Sequence, residues 1–155
     1  MKEITGDIRN YLAQGYWVVV STNSAVDRYG NCVMGRGIAY YAKLSYPKLP
    51  SILGSMIKAS GSKVRLFYTY KLIIFPVKHL WSEHANIYLV RESTKTLAEM
   101  WSGNNENIYL PRVGCGSGKL KWERVKSILE QYLDDKFTVV SLLSDQQKDS
   151  VEVNI

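Results

Sequence analysis

Cysteine and histidine are both scarce in this 155-residue chain, and the shortage excludes something. The two cysteines, Cys32 and Cys115, each lie in a glycine-rich stretch, and the two histidines are His79 and His84. No disulfide framework and no zinc-ligand spacing can be drawn from them, so neither a disulfide, a metal site nor a cofactor is expected. Long apolar runs are missing as well. The longest blocks are Trp17-Val18-Val19-Val20 and Leu72-Ile73-Ile74-Phe75, far short of the roughly 20 residues that cross a bilayer. The opening MKEITGDIRN mixes both charges and has no apolar segment of the secretory kind. The expectation is a soluble, cytoplasmic protein with no membrane partner.

What is present is 46% hydrophobic and 22% charged residues, enough to build a core and too apolar for a disordered chain. One domain over residues 1–144 is expected, with a loose, polar, net negative tail over 145–155, and a monomer is the favoured state. Basic residues number 20 against 14 acidic, a net charge of +6. That balance suits a polyanionic partner such as a nucleotide or nucleic acid, although a merely solvated basic surface accounts for it equally well.

Apolar residues recur at two alternating periods. Helical spacing runs from Ile8 to Gln14 and from Gly37 to Ser45. It returns in Leu49-Ile52-Leu53-Met56-Ile57, then from Ile87 to Trp101 and from Trp122 to Leu133. Between these lie runs of β-branched and aromatic residues at Trp17–Thr22, Val64–Tyr70, Leu72–Phe75, Asn107–Leu110 and Phe137–Leu143, with Met1–Thr5 as a candidate edge strand. Runs as apolar as Trp17–Val20 predict strands covered on both faces. The fold expected is α/β, a three-layer α/β/α sandwich around a mixed, largely parallel central sheet.

In such sheets ligands bind beyond the carboxyl ends of the strands. Two loops there are rich in glycine: Gly30-Asn31-Cys32-Val33-Met34-Gly35-Arg36-Gly37, and Pro111-Arg112-Val113-Gly114-Cys115-Gly116-Ser117-Gly118. Glycine allows positive φ and lets a ligand approach the backbone amides, and amides at a helix start favour phosphate. The plain alternative is that these glycines only shape turns. Neither the Walker nor the Rossmann glycine spacing is present. A pair of phosphate-binding loops is the sharper reading, and the basic residues near them (Arg36, Lys43 and Lys48; Arg112, Lys119 and Lys121) fit an anionic ligand.

Asn31-Cys32-Val33-Met34-Gly35-Arg36-Gly37-Ile38-Ala39, followed by Pro111-Arg112-Val113-Gly114-Cys115-Gly116 and Leu120-Lys121-Trp122, resembles the macrodomains. The resemblance is to the branch of the DNA ADP-ribosylglycohydrolase antitoxins and the terminal protein-ADP-ribose glycohydrolases. Phe75-Pro76-Val77-Lys78 with Trp81, and Gly6-Asp7-Ile8 after the first strand, extend it over roughly residues 2–143. It implies a cleft for ADP-ribose, or for an ADP-ribosylated substrate that includes modified DNA. By matching position, Asp7 would accept a hydrogen bond from the adenine amino group with the Ile8 amide nearby, unless Asp7 serves as a helix cap. Val33, Met34, Gly35, Gly37 and Ile38 would line the diphosphate and distal ribose. Gly114, Cys115, Gly116, Ser117 and Gly118 would close over the diphosphate from the other side, and Asn23 is a candidate for a ribose hydroxyl. Lys78 is the expected catalytic amine, acting at the anomeric carbon once deprotonated. His79 is its neighbour, and adjacent side chains on an extended segment point apart, so only one of the two is expected to face the cleft.

The chain departs from the branch in five ways. Ser21-Thr22-Asn23-Ser24 stands where Val-Asn-Thr-Val-Gly-like residues are usual, the first loop is extended by Ala25–Tyr29, Val77 replaces the usual threonine, Ala85 stands where serine is frequent, and the second loop lacks the aspartate of the protein-directed enzymes. The function these residues imply is a hydrolase that removes ADP-ribose from a modified substrate or cleaves a derivative such as ADP-ribose 1''-phosphate. A non-catalytic ADP-ribose reader is the alternative, and a basic nucleic-acid-binding module the third reading.

Overall fold

The computed structural model describes residues 1–80 and 82–153; Trp81, one of the residues carrying the resemblance, lies outside them. The apolar runs become six strands: β1 (Lys2–Thr5), β2 (Trp17–Thr22), β3 (Arg65–Phe67), β4 (Leu72–Pro76), β5 (Ile108–Leu110) and β6 (Phe137–Ser141). They form one sheet in the order β1-β6-β5-β2-β4-β3, parallel throughout except for the antiparallel β3–β4 pair. The helices are α1 (Ile8–Ala13), α2 (Gly37–Ser45), α3 (Leu49–Ser60), α4 (Ile87–Met100), α5 (Trp122–Tyr132) and α6 (Leu143–Val153). No helix among the described residues is long and apolar enough to cross a membrane.

Strand alternation sends successive side chains to opposite faces and so divides the core in two. Val18 and Val20 of β2 with Leu72 and Ile74 of β4 pack against Leu12, Ile38, Ala42 and Leu53 on the side of α1, α2 and α3. Trp17 and Val19 with Ile73 and Phe75 pack against Val90, Leu97, Val125 and Leu129 on the side of α4 and α5. The result is the three-layer α/β/α sandwich that the sequence predicts.

Two stretches differ from expectation. The strand expected over Val64–Tyr70 is only Arg65–Phe67, because the chain then turns through Lys71 at φ 53 to enter β4 antiparallel. The polar stretch expected as a loose tail over 145–155 is helical from Leu143 to Val153, with residues 154–155 outside the described part. A salt bridge holds it: Arg112 donates to both carboxylate oxygens of Asp149, at 3.1 and 2.6 Å.

Candidate functional site

The parallel strands all point their carboxyl ends to one side of the sheet, and every one of them hands over to a helix there. The loops that follow β2, β4 and β5 meet over the sheet's centre and enclose a cleft of about 1810 Å³.

The first glycine loop, between β2 and α2, is fixed at its root by Asn23. The Asn23 amide donates to the Val33 carbonyl at 3.1 Å, and its oxygen accepts from the Ala25 amide at 2.8 Å. The inserted segment is a small turn organised by Asp27, whose Oδ1 accepts from the amides of Tyr29 and Asn31 at 2.9 and 3.0 Å. Helix α3 supports it from outside. The Cys32 amide donates to the Pro50 carbonyl at 2.8 Å, and at Gly54 any Cβ would collide with the Gly30 carbonyl.

The second loop, between β5 and α5, is equally constrained. Gly114 has φ +75, and a Cβ on Gly118 would sit 2.6 Å from the Gly114 oxygen and 2.7 Å from the Ala85 Cβ. The Ala85 amide donates to the Gly118 carbonyl at 2.8 Å, which ties this loop to the segment after β4. That segment carries Lys78 and is itself fastened at both sides: Val77 donates to Thr22 O at 2.9 Å and Asn86 to Val77 O at 2.8 Å.

The glycines of these loops are of two kinds. Gly114 and Gly118 are demanded by the chain itself, through positive φ or close packing. Gly35 and Gly116, one in each loop, have no φ in the positive region and nothing within 4 Å of an added Cβ. Both line the cleft and both are exposed. The fold does not need glycine at either place, so the view that these glycines only shape turns fails for them.

Lys78 lines the cleft and is only 7% exposed. Burial, and secondarily the positive charge of Arg36, push its amine below the ordinary lysine range. His79 is exposed and outside the cleft lining, and its carbonyl accepts from the Ser24 amide at 2.9 Å. The two cysteines are free thiols. Burial, followed by the Asp27 charge, pushes Cys32 up to about 11, and burial likewise pushes Cys115 up to about 12. Neither is a thiolate nucleophile near neutral pH. Among the described residues no group of three His, Cys, Asp or Glu side chains converges to hold a metal ion.

Of the site residues read from the sequence, the cleft lining includes Ile8, Asn23, Val33, Met34, Gly35, Gly37, Ile38, Lys78 and all five from Gly114 to Gly118. Asp7 is not in it. Its carboxylate caps α1 by accepting from the Arg9 amide at 2.9 Å, and it is forked by the Arg9 guanidinium, whose Nε lies 2.9 Å from each oxygen. The spacing of an acid two residues before an arginine at a helix start was the signal for that pairing. Asn23 lines the cleft, but both ends of its amide are already engaged in holding the loop.

Sequence reasoning missed Thr22, Arg9 and Tyr41, and gave Arg36 only as a nearby charge. All four line the cleft. Thr22 follows from the alternation of β2, which puts it on the face of Val20, in register with Pro76. Its hydroxyl is buried and has no hydrogen-bond partner among the described residues. Arg9 and Tyr41 come from different helices, and nothing in the linear sequence brings them together.

No family model matches the chain. Among curated proteins it is similar to the ADP-ribose glycohydrolase OARD1 of Homo sapiens, 29% identical over 119 residues, 72% of this chain and 76% of that protein. The same enzyme of Bos taurus is 28% identical over 117 residues. Among solved structures it superposes on the macrodomain of Thermus aquaticus DarG with a TM-score of 0.71 at 22% identity, covering 91% of this chain and 96% of that one. Thermosipho africanus DarTG in complex with ADP-ribose gives a TM-score of 0.72 at 19% identity, and this chain, 92% covered, spans 41% of its length.

Proposed function

Because the chain has the macrodomain fold, we propose that it binds ADP-ribose across the two glycine loops and hydrolyses the bond at the distal ribose, with Lys78 as the catalytic amine. The observation that carries the binding half is the pair Gly35 and Gly116. These are open glycines, one in each loop of the cleft lining, free of side chains where nothing in the protein requires it. A diphosphate laid between the loops would bring anionic oxygens onto backbone amides, with the start of α2 adding its dipole. The activity named for the OARD1 relatives, and the ADP-ribose held by DarTG, support the same ligand.

The catalytic half rests on Lys78. Its amine is buried and held below the ordinary lysine range, which raises the fraction with a free electron pair. In the reaction proposed, that pair attacks C1'' of the distal ribose while the bond from C1'' to the leaving group breaks, and the leaving group departs with the bonding electrons and gains a proton. Water then cleaves the ribosyl–lysine bond, releasing ADP-ribose and restoring the amine. The loops act by fixing C1'' against Nζ, a positioning contribution.

A reader without catalysis is favoured by one observation. Of the four carboxylates in the cleft lining, Glu3, Glu123, Asp145 and Asp149, two are held by cations: Glu3 and Asp149 by Arg112, and Glu3 also by Lys126 at 3.1 Å. The test is a pair of measurements on wild type and Lys78→Ala. Calorimetry should give micromolar ADP-ribose binding, about −8 kcal/mol, for both proteins. Wild type alone should release ADP-ribose from ADP-ribosylated DNA, ADP-ribosylated protein or ADP-ribose 1''-phosphate. Binding without turnover of any of the three would establish the reader instead.

A further inference from the structure

We propose that Thr22 is a positioning residue, whose hydroxyl accepts a hydrogen bond from the Lys78 amine and so aims that amine's electron pair at the reacting carbon; this rests on the reaction proposed above. The strands bring the two residues to one place. Side chains alternate along β2, so Thr22 falls on the face of Val18 and Val20, toward α1, α2 and α3. Along β4 and just past it, Ile73, Phe75 and Val77 pack on the opposite face, which turns Lys78 to the side of Thr22. The charge of Arg36, at the start of α2, reaches the Lys78 amine from that same side. Thr22 is in register with Pro76, and its carbonyl accepts from the Val77 amide at 2.9 Å. Lys78 therefore stands one strand over and two residues on. With strands about 4.8 Å apart and a rise of about 3.3 Å per residue, that offset puts the two Cα atoms roughly 8 Å apart. A four-carbon lysine stem spans such a gap.

Both groups are uncommitted. Thr22 is 4% exposed, yet its hydroxyl has no hydrogen-bond partner among the described residues. Buried polar groups are nearly always paired, because an unpaired one is destabilising. Lys78 lines the same cleft and has no hydrogen-bond or carboxylate partner among the described residues either. The adjacent Asn23 does not compete, since both ends of its amide hold the first loop. The Thr22 oxygen itself presents no surface to the cleft, so a ligand lying there does not reach it. Its partner has to be a protein side chain that can turn onto it, and Lys78 is on the right face with a flexible stem. No hydrogen bond joins the two in the structure; rotation about the lysine stem brings Nζ to the oxygen. The neutral amine then donates one N–H to Thr22 Oγ1 and keeps its electron pair for C1''. The hydroxyl neither gains nor loses a proton, so the balance of the reaction is unchanged. What it contributes is a fixed direction of attack for a long side chain.

The test uses Thr22→Val, which keeps the shape and the backbone bond to Val77 while removing the hydroxyl, and Thr22→Ser, which restores it. Melting temperature, calorimetric ADP-ribose affinity and turnover of ADP-ribosylated DNA, ADP-ribosylated protein and ADP-ribose 1''-phosphate would be measured on both variants and on wild type. Thr22→Val is expected to melt about 2–4 °C higher, because a buried hydroxyl without a partner is gone, and to bind ADP-ribose as wild type does. Its kcat should fall about tenfold to a hundredfold with KM unchanged, and Thr22→Ser should recover most of the rate. Wild-type kcat in Thr22→Val would overturn the proposal. A loss of ADP-ribose affinity matching the loss of rate would do the same, since the hydroxyl would then act on the ligand. A melting temperature below wild type would make it a structural group and also end the proposal. Wild type that turns over none of the three substrates would remove the enzymatic reading and this proposal with it, an outcome distinct from wild-type turnover that Thr22→Val leaves intact.

Discussion

Lys78, the proposed nucleophile, shows what burying an amine costs the chain that carries it. Its amine is buried beside Arg36, and both effects disfavour the charged form in the folded protein. Between its lowered pKa and the ordinary lysine value of about 10.4, the unfolded chain therefore binds more protons than the folded one. Stability from this residue rises with pH through that window, and below it the full cost of burying the charge is present. Lys78→Met removes the cost, so its melting temperature at neutral pH is expected to exceed wild type by about 2–4 °C for each kcal/mol recovered. Catalysis should follow the same titration. Turnover is expected to climb as pH rises through the lowered pKa and to level off below the ordinary lysine value; a flat profile from pH 6 to 10 would remove Lys78 as the nucleophile. Gly35 gives the complementary case. With ordinary φ and open space, Gly35→Ala should leave stability within about 0.5 kcal/mol of wild type while weakening ADP-ribose binding, because the added methyl group enters the cleft and nothing else. Thermal unfolding and calorimetry on this one variant check both halves.

At the scale of elements, the loops hold their shape because helices hold them. Helix α3 approaches the first loop so closely that Gly54 has no room for a Cβ against the Gly30 carbonyl. Gly54→Ala must push backbone from backbone, and a loss of about 1–3 kcal/mol is expected, with ADP-ribose affinity falling as the loop shifts; denaturant unfolding would measure the first effect. A stability equal to wild type would show that α3 does not support the loop. The same scale explains what could be read from the sequence. Strand β2 and helix α2 were legible because Trp17–Val20 is wholly apolar and α2 starts at Gly37 and stops before Pro47. The premature end of β3 was not, since the turn into β4 places Lys71 at positive φ with no glycine to announce it. Helix α6 was hidden because its docking depends on Arg112 and Asp149, distant in sequence and joined only by the fold. In the candidate site, the glycine loops were legible as local patterns, and Lys78 through the resemblance carried by Phe75-Pro76-Val77-Lys78. Arg9 and Tyr41 were not, because their meeting is a property of how α1 lies against α2.

Across the whole molecule, a net charge of +6 admits two kinds of partner, and salt separates them. A protein that holds nucleic acid by neutralising several phosphates releases a counterion for each, and loses about 10³–10⁵ in affinity between 50 and 200 mM salt. A diphosphate held between two loops engages backbone amides inside a cleft, with few surface lysines involved. Interactions of that sort are partly shielded from the ionic atmosphere, whose screening length is about 10 Å at 0.1 M. The cleft reading therefore predicts that ADP-ribose affinity falls by less than about tenfold over the same salt range. Titrations at 50 and 200 mM salt, with ADP-ribose and with unmodified DNA in parallel, decide the matter. A shallow dependence for ADP-ribose, with DNA binding weak and steeply salt-sensitive, makes the +6 a general attraction that brings anionic molecules toward a site whose specificity comes from uncharged groups. Tight DNA binding that ADP-ribose fails to displace would make the basic surface the functional one.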